Sequence, residues 1–174
     1  MHPQERGNIR VASPDRDHSA LAALMSDYLR WALDQLESEY GITDMPVDPK
    51  QTARSLDAYR PPHGLAVIAD VDGQPAGVGA LRQLDRGVVE VKRMYVHPDD
   101  RDRRLGSGVL DLLLTEAAAT FQAKTVRLDT CRFMLSAQRL YRSRGFHERP
   151  PYEGTEIPLH LQRYWMFFEK RLVS

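Results

Sequence analysis

One cysteine in 174 residues, Cys131, excludes an internal disulfide framework and makes a reducing, cytoplasmic setting the simplest expectation. No apolar run approaches the ~18 residues that a membrane helix needs. The opening residues Met1 to Arg10 are polar and charged, unlike the apolar core of a signal peptide. Neither sign of charge dominates: 24 basic side chains face 24 acidic ones, so no global field argues for a nucleic acid or an anionic membrane as partner. The histidines are scattered and make no zinc-ligand spacing with Cys131, so no metal is expected. Repeats and low-complexity segments are missing too. What remains has the length and composition of one globular domain, residues 8–174, behind a polar tail, residues 1–7.

Periodicity orders the elements. Asn8 to Ala12 reads as a first strand, and Ser13-Pro14 as a helix start with serine at the N-cap. The stripe Leu21, Leu24, Met25, Tyr28, Leu29, Ala32, Leu36 then keeps one face apolar, with Trp31 at its edge as a core-margin aromatic. Glu37 to Val47 reads as a loop carrying Glu37, Glu39 and Asp44, and Asp48-Pro49-Lys50-Gln51 as a capping box for a second helix that Pro61-Pro62 ends. Strands follow at Gly64 to Val71, Gln74 to Gln83 and Val88 to Val96, the first two joined by the hairpin signal Asp72-Gly73. A helix after Gly108 uses Val109, Leu110, Leu113, Leu114, Ala117, Ala118 and Phe121. Thr125 to Thr130 is a strand and Leu135 to Arg144 a helix closed by Gly145, with strands from Phe146 and over Tyr164 to Leu172. The class is α+β, a mixed and mostly antiparallel sheet flanked by about four helices.

Val88 to Val96 contains a change of phase. Val89 and Val91 are apolar at odd positions, Met94 and Val96 at even ones. Side chains alternate with period two, so one face stays apolar only if a residue is inserted, and a bulge near Lys92-Arg93 supplies it. The alternative is a strand buried on both faces. Directly after this strand, Arg101, Arg103 and Arg104 precede Gly106-Ser107-Gly108 at the opening of the central helix. A helix N-terminus offers free N–H groups and partial positive charge, glycines permit close approach, and arginines add charged donors: together, a seat for phosphate. A Walker loop is excluded because no Gly-Lys-Ser/Thr occurs there. A dinucleotide fingerprint lacks its third glycine, since Asp111 stands in its place, although Asp129 falls near the spacing of a ribose-binding acid.

Arg103-Arg104-Leu105-Gly106-Ser107-Gly108 resembles the Arg/Gln-x-x-Gly-x-Gly/Ala motif of the GCN5-related N-acetyltransferase (GNAT) family. Ala137-x-x-Leu140-Tyr141-x-x-x-Gly145-Phe146 is closely similar to a second family motif, and the order of elements from Asn8 to Leu172 matches as well. The resemblance implies a GNAT-like acyl-CoA N-acyltransferase fold, acetyl-CoA as acyl donor and a pyrophosphate seat at Arg103, Arg104, Leu105, Gly106, Ser107 and Gly108. It implies that the backbone of Met94-Tyr95-Val96 pairs with the pantetheine arm, and that Tyr141 is the general acid beside the thioester sulfur. Relatives often carry an asparagine where this chain has Met134, so that contact to the cofactor is missing here.

The chemistry sets further expectations. Presenting a lysine-like amine neutral at pH 7 costs roughly 4–5 kcal/mol, which calls for a base, and Glu90 just ahead of the bulge is the candidate, acting directly or through a water. A backbone N–H freed by the bulge, that of Met94, is the candidate oxyanion donor. Cys131 reads as a structural thiol rather than a nucleophile, Arg101 as a solvated loop charge and His97 as a loop residue. The acceptor is a small-molecule amine, an amino acid or a peptide, met between the loop carrying Glu37, Glu39 and Asp44 and the one carrying Glu153, Glu156, His160 and Arg163. A homodimer is compatible with this reading. The alternatives are a non-catalytic acyl-CoA-binding regulatory module and a nucleotide-binding protein of another kind.

Overall fold

The computed structural model describes residues 7–47, 51 and 56–173. The expected tail (Gly7 apart) and the capping box at residues 48–50 lie outside the described residues. The chain runs β1 (Asn8–Val11), α1 (His18–Tyr40), β2 (Gly64–Val71), β3 (Gln74–Asp85), β4 (Val88–Val96), α2 (Leu105–Ala119), β5 (Thr125–Cys131), α3 (Leu135–Ser143), β6 (His147–Arg149) and β7 (Trp165–Arg171). Short 3-10 turns occupy Pro98–Arg103 and Leu159–Tyr164. The strands form one sheet in the order β1-β2-β3-β4-β5-β7-β6, antiparallel throughout except for β4 beside β5.

Both faces of the sheet are covered. On one, α2 buries Val109, Leu110 and Leu113 against Val67, Leu81 and Phe168, joined by Tyr141 of α3. On the other, α1 buries Leu21, Leu24 and Met25 against Ala66, Ile68 and Val78, and Leu36 farther along joins a cluster with Trp165 and Phe167. This explains why β2 reads as an almost unbroken apolar run: its alternate residues enter different cores. Asp72 and Gly73 adopt φ of 51° and 75°, the left-handed pair that a tight two-residue hairpin requires.

Helix α1 differs from expectation at both ends. Ser13 does not cap it; the helix begins at His18. The Asp17 carboxylate accepts from the Ser13 N–H at 2.7 Å and from Arg10 Nη1 at 2.7 Å, which holds the intervening residues in a turn. At its other end α1 continues to Tyr40 and stops where Gly41 takes φ 68°, so Glu37 and Glu39 are helical rather than loop residues.

Candidate active site

The bulge in β4 is present where the change of phase required it. Val78 of β3 pairs with Tyr95, but Ala80 pairs with Lys92, so Gly79 stands opposite both Arg93 and Met94. Arg93 is the inserted residue and takes φ 58°. Beyond it Met94 and Val96 pack into the same core as Val89 and Val91, while Tyr95 turns to the α1 side. Gly79 is needed opposite: a Cβ there would lie 2.6 Å from Val109 and 2.8 Å from Met94 Sδ.

The parallel neighbour stops short of the bulge. β4 and β5 pair only from Val88–Thr125 to Glu90–Arg127. Past that point they separate, and a cavity of about 730 Å³ fills the gap, lined on the β4 side by Val91 to Val96 and on the β5 side by Asp129 and Thr130. The volume suits a cofactor-sized ligand. The start of α2 contributes Arg104, Gly106 and Ser107 to the lining, and Arg101, Tyr28, Trp31 and Phe133 line it as well.

The expected phosphate seat divides on inspection. Gly106 and Ser107 line the cavity, and a Cβ on Gly106 would meet only Leu140 and Val96, each at 3.9 Å. Protein packing therefore leaves that space open. Gly108 is different, because its Cβ would lie 2.1 Å from Ile9 Cδ1; this glycine admits β1 against the helix. Leu105 is a core residue, 2% exposed. Arg104 lines the cavity, whereas Arg103 does not and sits 3.2 Å from Asp100. Arg101, expected to be a solvated loop charge, lies over the Trp31 ring at 5.2 Å and donates from Nε to the Val96 carbonyl at 3.2 Å. That contact occupies one backbone acceptor of the segment expected to pair with a pantetheine arm. Trp31 packs at the margin of the α1-side core, as expected, and is also a cavity wall.

Tyr141 lines the cavity with its ring packed edge-on to Phe146. Burial raises its phenol well above the ordinary value, so the hydroxyl stays protonated and able to donate. Tyr28 is pushed up to about 12 by the same cause. Met134, in place of the asparagine, accepts a weak bond from Thr130 Oγ1 through its sulfur at 3.4 Å. Cys131 is buried outside the lining, and burial pushes its thiol up to about 12, which disables it as a nucleophile. His97 stays at the end of β4, 3.6 Å from Asp99.

Glu90, the expected base, lies beneath the cavity rather than in its lining. Its carboxylate is fully buried, does not line the cavity, and accepts from Arg82 Nη2 at 2.7 Å and from the Tyr152 hydroxyl at 2.5 Å. Lys92 Nζ lies 3.4 Å from Asp129, 3.3 Å from Glu156 and 4.0 Å from Glu90. Burial opposes the Lys92 charge, but those carboxylates outweigh it and hold the ammonium above the ordinary lysine value. Asp129, Glu39 and Asp102 bring carboxylates to the cavity lining; Asp129, which the sequence suggested only through a ribose-binding spacing, is the one on the strand that parts from β4. The loop residues proposed as a second groove wall instead make internal ties: Glu156 binds Arg82 and Lys92, and His160 lies 3.1 Å from Asp44.

Comparison with known proteins agrees with this geometry. The acetyltransferase (GNAT) family model matches residues 23–146, and the chain belongs to that family. It is 32% identical to an uncharacterized N-acetyltransferase of Schizosaccharomyces pombe over 87% of this chain and 89% of that one. Among solved structures, an acetyltransferase of Streptococcus agalactiae superposes with TM-score 0.74 at 18% identity, covering 98% of this chain and all of the other. yncA of Salmonella typhimurium, determined with its cofactor acetyl-CoA, superposes with TM-score 0.71 at 20% identity over 97% of this chain and 95% of that one. No described helix is long and apolar enough to cross a membrane.

Proposed function

We propose that this acetyltransferase moves an acetyl group from acetyl-CoA directly to the primary amine of a small molecule, amino acid or peptide in a cytoplasmic setting. The observation that carries this reading is the continuous cavity between the separated strands, which joins the open start of α2 to the Tyr141 hydroxyl. When bound, acetyl-CoA supplies an acetyl thioester, the acyl group that an amine can take. The residues present fit it: Gly106 and Ser107 leave backbone and space at a helix N-terminus, and Arg104 and Arg101 add positive charge. The unpaired edge of Met94 and Tyr95 offers main-chain partners to an extended arm.

At the reacting end, the Met94 N–H is free of a ladder partner in register and serves as the donor for the carbonyl oxygen as its negative charge grows. Tyr141 holds its proton at Oη for the departing sulfur. Asp129 receives the proton that the amine sheds as the C–N bond forms and the C–S bond breaks. Glu90 acts behind it, fixing Arg82, Lys92 and Tyr152 beneath the cavity floor. The test is thiol release from acetyl-CoA across an amine panel, with Asp129→Asn and Tyr141→Phe alongside. Release that depends on the amine and falls in both variants supports the reading. Stabilisation by acetyl-CoA without release for any amine identifies a non-catalytic binding module instead.

A further inference from the structure

We propose that the amine acetylated here also carries a carboxylate, and that Arg93 receives it. The inference rests on the transferase reading of the cavity and narrows its acceptor to an amino acid or a similar short amino-carboxylate.

Three cations surround Glu156: Arg82, Lys92 and Arg93. The first two account for the neighbouring carboxylates. Arg82 binds Glu90 at 2.7 Å and Glu156 at 3.2 Å, and Lys92 lies 3.4 Å from Asp129 and 3.3 Å from Glu156. Arg93 makes no ion pair or hydrogen bond to any described residue, and its Nε is buried without an acceptor. Arg93 as a whole is only half-buried, but leaving its Nε buried and unpaired is unfavourable unless something else supplies the acceptor. Its planar fork of donors matches a carboxylate in bidentate fashion.

The position reinforces the point. Arg93 is the bulge residue at φ 58°, a backbone conformation that favours glycine over a long side chain. An arginine there strains the backbone without gaining a hydrogen bond or ion pair from the described residues, yet it lines the cavity beside Asp129 and Tyr28. An amine directed at Asp129 with its own carboxylate on Arg93 has the layout of an amino acid. The ring walls of Tyr28, Trp31 and Phe133 suit an apolar side chain. A peptide N-terminus fits less well, because its neighbouring carbonyl is a neutral amide and would leave Arg93 unpaired.

The experiment uses matched triples with the same side chain: the amino acid, its amide and the decarboxylated amine, each with saturating acetyl-CoA. The acid is expected to exceed the amide in kcat/KM by about 10- to 100-fold, with the difference in KM, as a charged hydrogen-bonded pair implies. Arg93→Gln should bring the ratio close to one, and Arg93→Lys should keep part of it. An amide that performs as well as the acid in the unmodified protein overturns the proposal, as does a ratio that survives in Arg93→Gln. If that variant misfolds, the unmodified protein's ratio decides alone. If no compound releases thiol, calorimetric titration of acid and amide into the CoA-loaded protein reads the same preference. A binding preference for the acid then supports Arg93 although catalysis has failed, and equal binding overturns it.

Discussion

Gly106→Ala separates ligand space from protein space. The added methyl would meet Leu140 and Val96 at 3.9 Å, ordinary van der Waals contact, so the unliganded protein should accept it. Exchanging glycine for alanine within a helix favours the helix by up to about 1 kcal/mol, so the unliganded Tm should hold or rise by a few degrees. Binding should move the other way. The methyl projects where a diphosphate would approach the backbone, and losing one charged hydrogen bond costs about 1.5–3 kcal/mol, or roughly 10- to 150-fold in affinity. Thermal shift reads both quantities at once. At acetyl-CoA a hundred times the wild-type Kd, the ligand stabilises wild type by about 2.7 kcal/mol, roughly 5–11 °C for a chain of this size. With affinity lowered a hundredfold, the same concentration gives about 0.4 kcal/mol, a shift of only about 1–2 °C. Gly108→Ala is the internal contrast: its methyl collides with Ile9, so unliganded stability should fall by up to about 2 kcal/mol while affinity stays within a few-fold. Full acetyl-CoA affinity in Gly106→Ala would falsify the phosphate seat.

Tyr141→Phe keeps the buried ring and should lower kcat by about 10²–10⁴ while leaving stability nearly unchanged. Because burial raises the phenol above its usual range, the wild-type rate should show no alkaline fall below pH 10 that Tyr141→Phe abolishes; such a limb would remove Tyr141 as the acid. Asp17→Asn tests the tie at the start of α1. The Arg10 hydrogen bond holds the Asp17 carboxyl below its ordinary value of 3.8, so its stabilisation is present above that pH and is lost as pH falls through the depressed folded value. The variant should therefore lose about 1.5–3 kcal/mol in urea melts at pH 7 and match wild type once the carboxyl is protonated; an equal loss at pH 2 would show a packing effect. Cys131→Ala should retain kcat/KM, and the native thiol should resist a disulfide reagent at pH 8 until the protein is unfolded. Loss of turnover with intact folding would revive an acyl-enzyme.

The parts of this protein that were legible in the sequence are those fixed by neighbours along the chain. The Asp72-Gly73 hairpin, the Gly145 cap and the β4 bulge follow from backbone preference and side-chain period, which act over a few residues. The start of α1 was misjudged because Arg10 of β1, itself held by Asp70 of β2, captures Asp17, and no local rule anticipates that. The surroundings of Glu90 were hidden for the same kind of reason. Its register partner in β3 is Arg82, and Tyr152 reaches it from a loop 62 residues away, so an apparently available carboxylate is already committed. Asp129 reaches the cavity because β4 and β5 part company after Glu90. The two glycines of the phosphate motif look equivalent in sequence, and only the packing of β1 tells them apart.

The single inserted residue in β4 has several consequences that need not have coincided. It keeps Met94 and Val96 in the core that Val89 and Val91 already occupy, which a regular strand could not do. It leaves two consecutive residues without partners in β3, on the stretch that has also lost β5, so main-chain groups face the cavity without a gap in the fold beneath them. It also sets an arginine in a positive-φ conformation with its Nε buried and without a hydrogen-bond partner. The first consequence concerns stability and would be met by any residue tolerant of positive φ. The second concerns catalysis and is equally indifferent to the side chain. Only the third depends on arginine, so the identity of residue 93 carries information about the substrate that the bulge itself does not.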